Sequence, residues 1–269
     1  MLLKTNLTLA NGVEIPALGF GTWQIPNEIA KRAVLDAIEV GFTHVDTAVV
    51  YGNEEGVGDA LCETSLPRDK IFLTTKIPAS IKNAAEAKEE FYRSLSRLKT
   101  DYVDLLLIHA PRPWEEMRDG KYRYFEENLA VWKMMEELYR EGKCRSIGVS
   151  NFQIDDIENL LRGSEIVPHV NQIRVHIGCF PEELIKYCND KNILVEAYSP
   201  NATGRLPENE KVAEIAAKYG VSVPQLGIRF DWQKGTLPLP KTTHKEYMIE
   251  DAAVDFIISD EDMEILSAI

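Results

Sequence analysis

The sequence predicts a (β/α)8 TIM barrel with an N-terminal β-hairpin, forming one domain over residues 1–269. Three observations predict it. Short apolar runs alternate with amphipathic segments about eight times, the number of βα units that closes such a barrel. The apolar runs lack period-two alternation, as expected of strands covered by helices. No Gly-x-Gly-x-x-Gly opens the first βα turn, where Gly19-Phe20-Gly21 supplies only two glycines. That disfavours the alternative, a doubly wound open sheet.

The elements follow in order. Leu7 to Ala10 and Val13 to Ile15 flank Asn11-Gly12, which predicts a hairpin with a two-residue turn and positive φ at both positions. Leu18 to Phe20 is the first barrel strand. Asn27 is expected to cap a helix with Ile29, Ala33, Val34, Ala37 and Ile38 on one face, ended by Gly41. Thr43 to Asp46 is a strand and Glu54 to Cys62 a helix. Ile71 to Thr75 precedes a helix with Ala87, Phe91, Leu95 and Leu98 inward. Val103 to Ile108 precedes one with Leu129, Trp132, Met135 and Leu138 inward, closed by Gly142. Ser146 to Val149 leads to a helix over Ile154 to Leu161, and His169 to Gln172 to one opening near Pro181. Ile193 to Ala197 precedes the helix over Lys211 to Tyr219. Thr236 to Leu239 precedes a last short helix over Lys245 to Ala252. The longest irregular stretch, Ala110 to Glu127, is expected to act as a lid.

Composition narrows the function. A chain that is 45% hydrophobic has an ample core, and a formal net charge of -13 excludes nucleic acid as a bulk electrostatic partner. It leaves room for a local basic pocket. Cys62, Cys144, Cys179 and Cys188 form no Cys-x-x-Cys pair, so neither a disulfide framework nor a zinc site is expected, only buried thiols in a reducing compartment. His44, His169 and His176 lack metal-ligand spacing and are expected to be structural; no metal is expected. The first residues lack a secretory pattern, and no apolar run approaches the ~20 residues of a membrane span. The expectation is a cytoplasmic, monomeric protein with a small-molecule partner.

The candidate chemistry lies at strand ends, because residues just past the C-terminal ends of barrel strands converge on one face. Asp46, Tyr51, Lys76 and His109 all stand there. Singly, each has an ordinary structural reading: a cap, a loop aromatic, a solvated charge, a core histidine. Together they suit proton delivery to a carbonyl oxygen while a nucleophile attacks carbon. A phenol of pKa about 10 is a weak acid near neutral pH. Lys76 is expected to lower that pKa, Asp46 to hold the ammonium, and His109 to orient a carbonyl.

Gly19-Phe20-Gly21-Thr22-Trp23, Asp46-Thr47-Ala48, Tyr51-Gly52-Asn53-Glu54, Thr75-Lys76, Leu107-Ile108-His109, Ile147 to Phe152, Asn171-Gln172 and Pro240-Lys241-Thr242 resemble, in order, the motifs of the aldo-keto reductase superfamily. The compact C-terminus is most similar to prokaryotic members related to diketogluconate reductases. The resemblance implies an NAD(P)H-dependent oxidoreductase, of carbonyl reductase or alcohol dehydrogenase type, reducing aldehydes, ketones or keto-sugars. It implies that Tyr51 is the general acid, Lys76 and Asp46 its tuning pair, and His109 the residue that orients the substrate. By the same resemblance Ser150, Asn151 and Gln172 hold the carboxamide, Tyr198 stacks on the nicotinamide, and Gly21 and Thr22 form the turn against the cofactor. Ser199 and Asn201 begin the loop over the pyrophosphate. Lys241 and Thr242 match the 2′-phosphate positions, and Trp23, Val50 and Trp114 line the substrate side.

Three positions depart from that pattern. Tyr247 stands where an Arg is usual, Asp251 where an Asn is usual, and Arg174 where an acidic residue is frequent. Losing the Arg removes a bidentate phosphate donor, though Tyr247 still offers a ring to stack on adenine. NADPH is expected because Lys241 remains, with NADH or dual use open. Two other classes compete with this reading: a non-catalytic nicotinamide-binding redox sensor or scaffold, and a lyase or isomerase using Lys76 as a Schiff base.

Overall fold

The computed structural model describes residues 2–118 and 121–269. Strands β1 (Asn6–Thr8) and β2 (Glu14–Pro16) form an antiparallel hairpin. Eight parallel strands then follow in chain order: β3 (Phe20–Gly21), β4 (His44–Asp46), β5 (Phe72–Ile77), β6 (Val103–Ile108), β7 (Cys144–Ser150), β8 (Val170–Arg174), β9 (Leu194–Tyr198) and β10 (Leu237–Leu239). Each pairs with its sequence neighbour. Backbone bonds from Gly19 N to Pro238 O (3.2 Å) and from Gly21 N to Pro240 O (2.9 Å) join the first to the last. The result is the expected (β/α)8 barrel.

Helices α1 (Asn27–Val40), α2 (Glu54–Glu63), α3 (Ala84–Leu98), α4 (Phe125–Arg140), α5 (Ile154–Gly163), α6 (Glu182–Asp190), α7 (Glu210–Tyr219), α8 (Val223–Gln233), α9 (Lys245–Ala252) and α10 (Asp260–Ser267) flank the strands. Most residues of the apolar stripes read from the sequence face inward: Val34, Phe91, Trp132, Met135 and Leu138 pack against Leu73, Leu106, Ile147 and Val195, whereas Ile29, in the first turn of α1, is exposed. A second cluster fills the barrel interior. There the hairpin residues Leu9 and Ile15 meet Phe72, Leu105, Leu107, Val170 and Leu237. Several of these open their strands, so the hairpin plugs the N-terminal mouth and leaves the C-terminal mouth for chemistry.

Four local expectations differ. The hairpin turn has three residues: Leu9 N bonds Val13 O (2.9 Å), Gly12 N bonds Leu9 O (2.8 Å), and only Gly12 has positive φ. This is a type I turn with a left-handed glycine. Asn11 stays right-handed while its amide accepts from Val13 N and donates to Arg145 O, tying the turn to β7. Asn27 does not cap α1; Pro26 stands at the cap, and Asn27 Oδ1 accepts from Gly56 N across the α1–α2 contact. Helices α8 and α10 were not read from the sequence. A capping box, Ser222 with Gln225, and Ser259 followed by three acidic residues are the signals that mark them. Cys144 and Cys188 are buried, but Cys62 is exposed on the outer face of α2.

Within Ala110 to Glu127 a 3-10 turn covers Trp114–Glu116 and α4 begins at Phe125; Asp119 and Gly120 lie outside the described residues. No helix among the described residues is long and apolar enough to cross a membrane.

Gly58 shows how tightly α2 and α3 approach: a Cβ there would sit 2.3 Å from Arg97 O. Gly58→Ala gains about 1 kcal/mol of helix propensity. The clash with backbone nonetheless makes the variant less stable, by about 1–3 kcal/mol in urea unfolding.

Candidate active site

Strand pairing brings the candidate residues to one level. Asp46 lies opposite Thr74, and Lys76 follows two residues later on the same inward face of β5. Beyond β4 the chain makes a 3-10 turn at Val49–Tyr51, ended by Gly52 at φ 68°. Asn53 fixes this turn: its Oδ1 accepts from Thr47 Oγ1 (2.8 Å), and its Nδ2 donates to Thr22 O and Ile25 O (both 2.9 Å). Tyr51 is thereby held over the strand ends.

Lys76 is fully buried. Its Nζ donates to Asp46 Oδ1 (2.7 Å), Asp46 Oδ2 (2.8 Å), Thr47 O (2.9 Å) and Tyr51 Oη (3.3 Å). Burial pulls the ammonium's pKa down, but Asp46 and Tyr51 outweigh it and hold it above the usual lysine value. A lysine so firmly charged is ill suited to Schiff-base chemistry, which needs the free amine. His109 follows β6, its ring edge-on to Tyr51 (5.5 Å) and to Trp114 (5.2 Å). Burial, then Lys76, keeps it well below the ordinary histidine pKa, so the imidazole is neutral.

Tyr51 corrects one expectation. Its phenol pKa is pushed up to about 12 rather than lowered, because burial outweighs the attraction of Lys76. Lys76 does pull the phenol pKa down as expected and Asp46 offsets part of that pull, but the cost of burying the phenolate is larger than either. Tyr51 therefore stands as a protonated acid across the neutral range.

A polar strip continues around the rim. Ser150 Oγ donates to Gln172 O (2.8 Å), Asn151 Nδ2 to His109 O (3.1 Å) and Ser150 Oγ (3.0 Å), and Tyr198 Oη to Asn151 Oδ1 (2.8 Å). Asn151 adopts φ 62°, which turns its amide along the rim. Arg174 lies 5.9 Å from the Tyr198 ring centroid.

These groups line a cavity of about 590 Å³ at the C-terminal mouth. Of the residues named from the sequence, Asp46, Tyr51, His109, Gly21, Trp23, Val50, Trp114, Ser150, Asn151, Gln172, Tyr198, Ser199, Asn201 and Lys241 line it. Lys76 lies just beneath its floor. Thr22 does not line it: it is buried, with N and Oγ1 both donating to Asp46 O (2.9 and 3.0 Å), and so holds the end of β4. Thr242 and Tyr247 are outside the lining, and Tyr247 is exposed with its ring edge-on to His244.

Pro200, between Ser199 and Asn201, also lines it, whereas sequence reasoning missed Gln24, Thr203, Gly204 and Leu239. Thr203 and Gly204 reach it through successive positive φ angles that no motif announces. It also missed Glu196, fully buried in β9 and bonded to Gln172 (2.8 Å). The signal was there, a lone carboxylate inside the strand Leu194–Tyr198. His44 and His169 have the structural roles expected, bonding Thr74 Oγ1 and the Ile147 backbone.

Removing Lys76 strands Asp46 in the barrel interior. Lys76→Met is expected to lose about 3–5 kcal/mol in denaturant unfolding at neutral pH, most of it regained when Asp46→Asn is added.

The family model described as "Aldo/keto reductase family" matches residues 17–269. The chain is 39% identical over 269 residues to a glyoxal reductase of Bacillus subtilis (strain 168), covering 99% of this chain and 93% of that protein. It is 36% identical over 284 residues to the aldehyde reductase YPR1 of Saccharomyces cerevisiae (strain ATCC 204508 / S288c), covering 98% and 90%. A crystal structure of an aldo/keto reductase from Brucella melitensis superposes with a TM-score of 0.90 at 36% identity, covering 98% of both chains. With sequence, fold and strand-end residues in agreement along nearly its whole length, the chain belongs to the aldo/keto reductase family.

Proposed function

We propose that the protein reduces aldehydes, ketones or keto-sugars to alcohols with a reduced nicotinamide cofactor, preferably NADPH, and that Tyr51 delivers the proton. The reading rests above all on one observation: the Tyr51 hydroxyl stands 3.3 Å from a fully buried ammonium, on the floor of a cavity walled by His109 and Trp114. The names of the relatives, glyoxal reductase and aldehyde reductase, support the reaction class. Another relative, 35% identical, is a glycerol 2-dehydrogenase (NADP(+)).

The residues present suit such a cofactor. Ser150, Asn151 and Gln172 offer amide-matching polar groups beside the Tyr198 ring, and Asn201 Oδ1 is buried without a hydrogen-bond partner among the described residues. Lys241 lines the cavity and makes no ion pair among the described residues, so it is available to an anionic end. When bound, the reduced nicotinamide supplies the hydride that reaches the carbonyl carbon. Neutral His109 orients the carbonyl oxygen, and Tyr51 Oη gives its proton to that oxygen. Lys76 then stabilises the phenolate left behind, while Asp46 keeps the ammonium in place. Trp23, Val50 and Trp114 supply half-exposed apolar walls on the substrate side of the cavity.

Tyr51→Phe tests the acid. Carbonyl reduction falls at least about a hundredfold, while cofactor affinity measured by fluorescence is kept; near-normal turnover refutes the assignment. A phenol that ionises only near pH 12 stays protonated at lower pH. The wild-type kcat/KM for reduction therefore shows no loss from Tyr51 between about pH 6 and 9. The reverse oxidation, which needs the phenolate as base, rises with pH over the same range.

Lys241→Ala tests cofactor choice. Loss of a charge-assisted contact to a 2′-phosphate weakens NADPH about tenfold or more and leaves NADH within about twofold. Equal effects on both cofactors overturn the preference.

A further inference from the structure

Glu196 occupies the middle of β9 with no exposed surface. Its Oε2 accepts from Gln172 Nε2 at 2.8 Å, and the same nitrogen donates to Asp46 Oδ2 at 2.8 Å. Both amide hydrogens of Gln172 are thus consumed on the barrel side. An amide places its oxygen away from its nitrogen, so Gln172 Oε1 is the atom left for the cavity that Gln172 lines.

The charge state of Glu196 follows from its neighbours. Asp46 and His44 face it from β4, Lys76 from β5 and Gln172 from β8. Lys76 Nζ is already committed to both Asp46 oxygens, Thr47 O and Tyr51 Oη. His44 Nε2 lies 3.7 Å from Glu196 Oε1 and pairs instead with Thr74 Oγ1 at 3.1 Å; burial, then Lys76, lowers its pKa to about 3, so it is no cation. Glu196 Oε1 has no hydrogen-bond partner among the described residues. An ionised Glu196 would be a second carboxylate beside Asp46 with no cation of its own, out of reach of water. Burial and then Asp46 push its pKa up to about 8, in the same direction.

We propose that Glu196 is a positioning residue for the reaction, a neutral carboxylic acid with its proton on Oε1, locking the Gln172 amide with nitrogen inward and oxygen toward the cavity. Resting on the nicotinamide reading above, Gln172 Oε1 then serves as the fixed acceptor for the carboxamide N–H of the cofactor. A neutral Glu196 also leaves the Asp46 charge undivided for Lys76.

Two measurements on the full-length protein test this. The first is the infrared difference spectrum of wild type minus Glu196→Gln at neutral pH. A carboxylic-acid C=O band present in wild type and lost in the variant is expected; loss of a carboxylate band instead overturns the neutral state. The second is NADPH and NADH binding by protein fluorescence. Glu196→Gln, which keeps a neutral acceptor for Gln172, retains affinity within about threefold. Glu196→Leu removes the acceptor and weakens binding about tenfold, the scale of one hydrogen bond.

If Glu196 acts through Gln172, Glu196→Leu has no further effect on binding in a Gln172→Ala background, and additive losses overturn the proposal. Should Glu196→Leu fail to fold, the isosteric Glu196→Gln still decides: a loss of affinity beyond about threefold overturns the lock. If the wild type binds neither nucleotide, the nicotinamide reading fails. The infrared band then still decides whether Glu196 is a neutral acid.

Discussion

The buried ion pair of Lys76 and Asp46 is the contact on which the rest of the site depends. An ammonium with no exposed surface is tolerable only when nearby oxygens replace its lost water. Here Asp46 supplies two, Thr47 a carbonyl and Tyr51 a hydroxyl. Each element around the pair is in turn fixed by it or fixes it. The Asp46 carbonyl anchors Thr22 at the end of β3, Asn53 ties the Tyr51 turn to the same region, and Gln172 reaches Asp46 from the far side of the barrel. Strands four positions apart around the sheet, β4 and β8, are thereby cross-braced through one carboxylate.

The same pair sets the electrostatics of Tyr51, the proposed proton donor. Because burial outweighs the pull of the ammonium, which Asp46 partly offsets, Tyr51 remains a phenol in the resting protein. The ammonium nevertheless lies within hydrogen-bond distance of the oxygen on which negative charge develops when the proton leaves. Stabilisation is therefore greatest when the phenolate forms, the differential interaction that accelerates a reaction. The hairpin contributes at a distance: by packing Leu9 and Ile15 into the opposite mouth, it keeps the barrel interior dry.

Most of the architecture was legible in the sequence because barrel strands are short apolar runs and their helices carry 3.6-residue stripes. What escaped was governed by contacts between elements. Asn27 reads as a helix cap, yet Gly56 claims its side chain. Asn11-Gly12 reads as a two-residue turn, yet the bond from Asn11 to Arg145 favours a three-residue loop. In the site, Asp46, Tyr51, Lys76 and His109 were legible because each ends a strand or follows one. Thr22 and Thr242 were not separable from true lining residues, since a polar residue at a strand end can face either the cavity or its neighbours.

The sequence by itself determined the barrel, the order of its strands and the identity of the residues at their C-terminal ends, because periodicity and strand-end position are local properties. Tertiary structure alone decided the charge balance: that Lys76 is spent on Asp46, that Tyr51 is raised rather than lowered, and that Glu196 meets Gln172 in the interior. Those outcomes depend on distances between residues far apart in the chain and on the exclusion of water from the space between them. Neither quantity is written in any single segment.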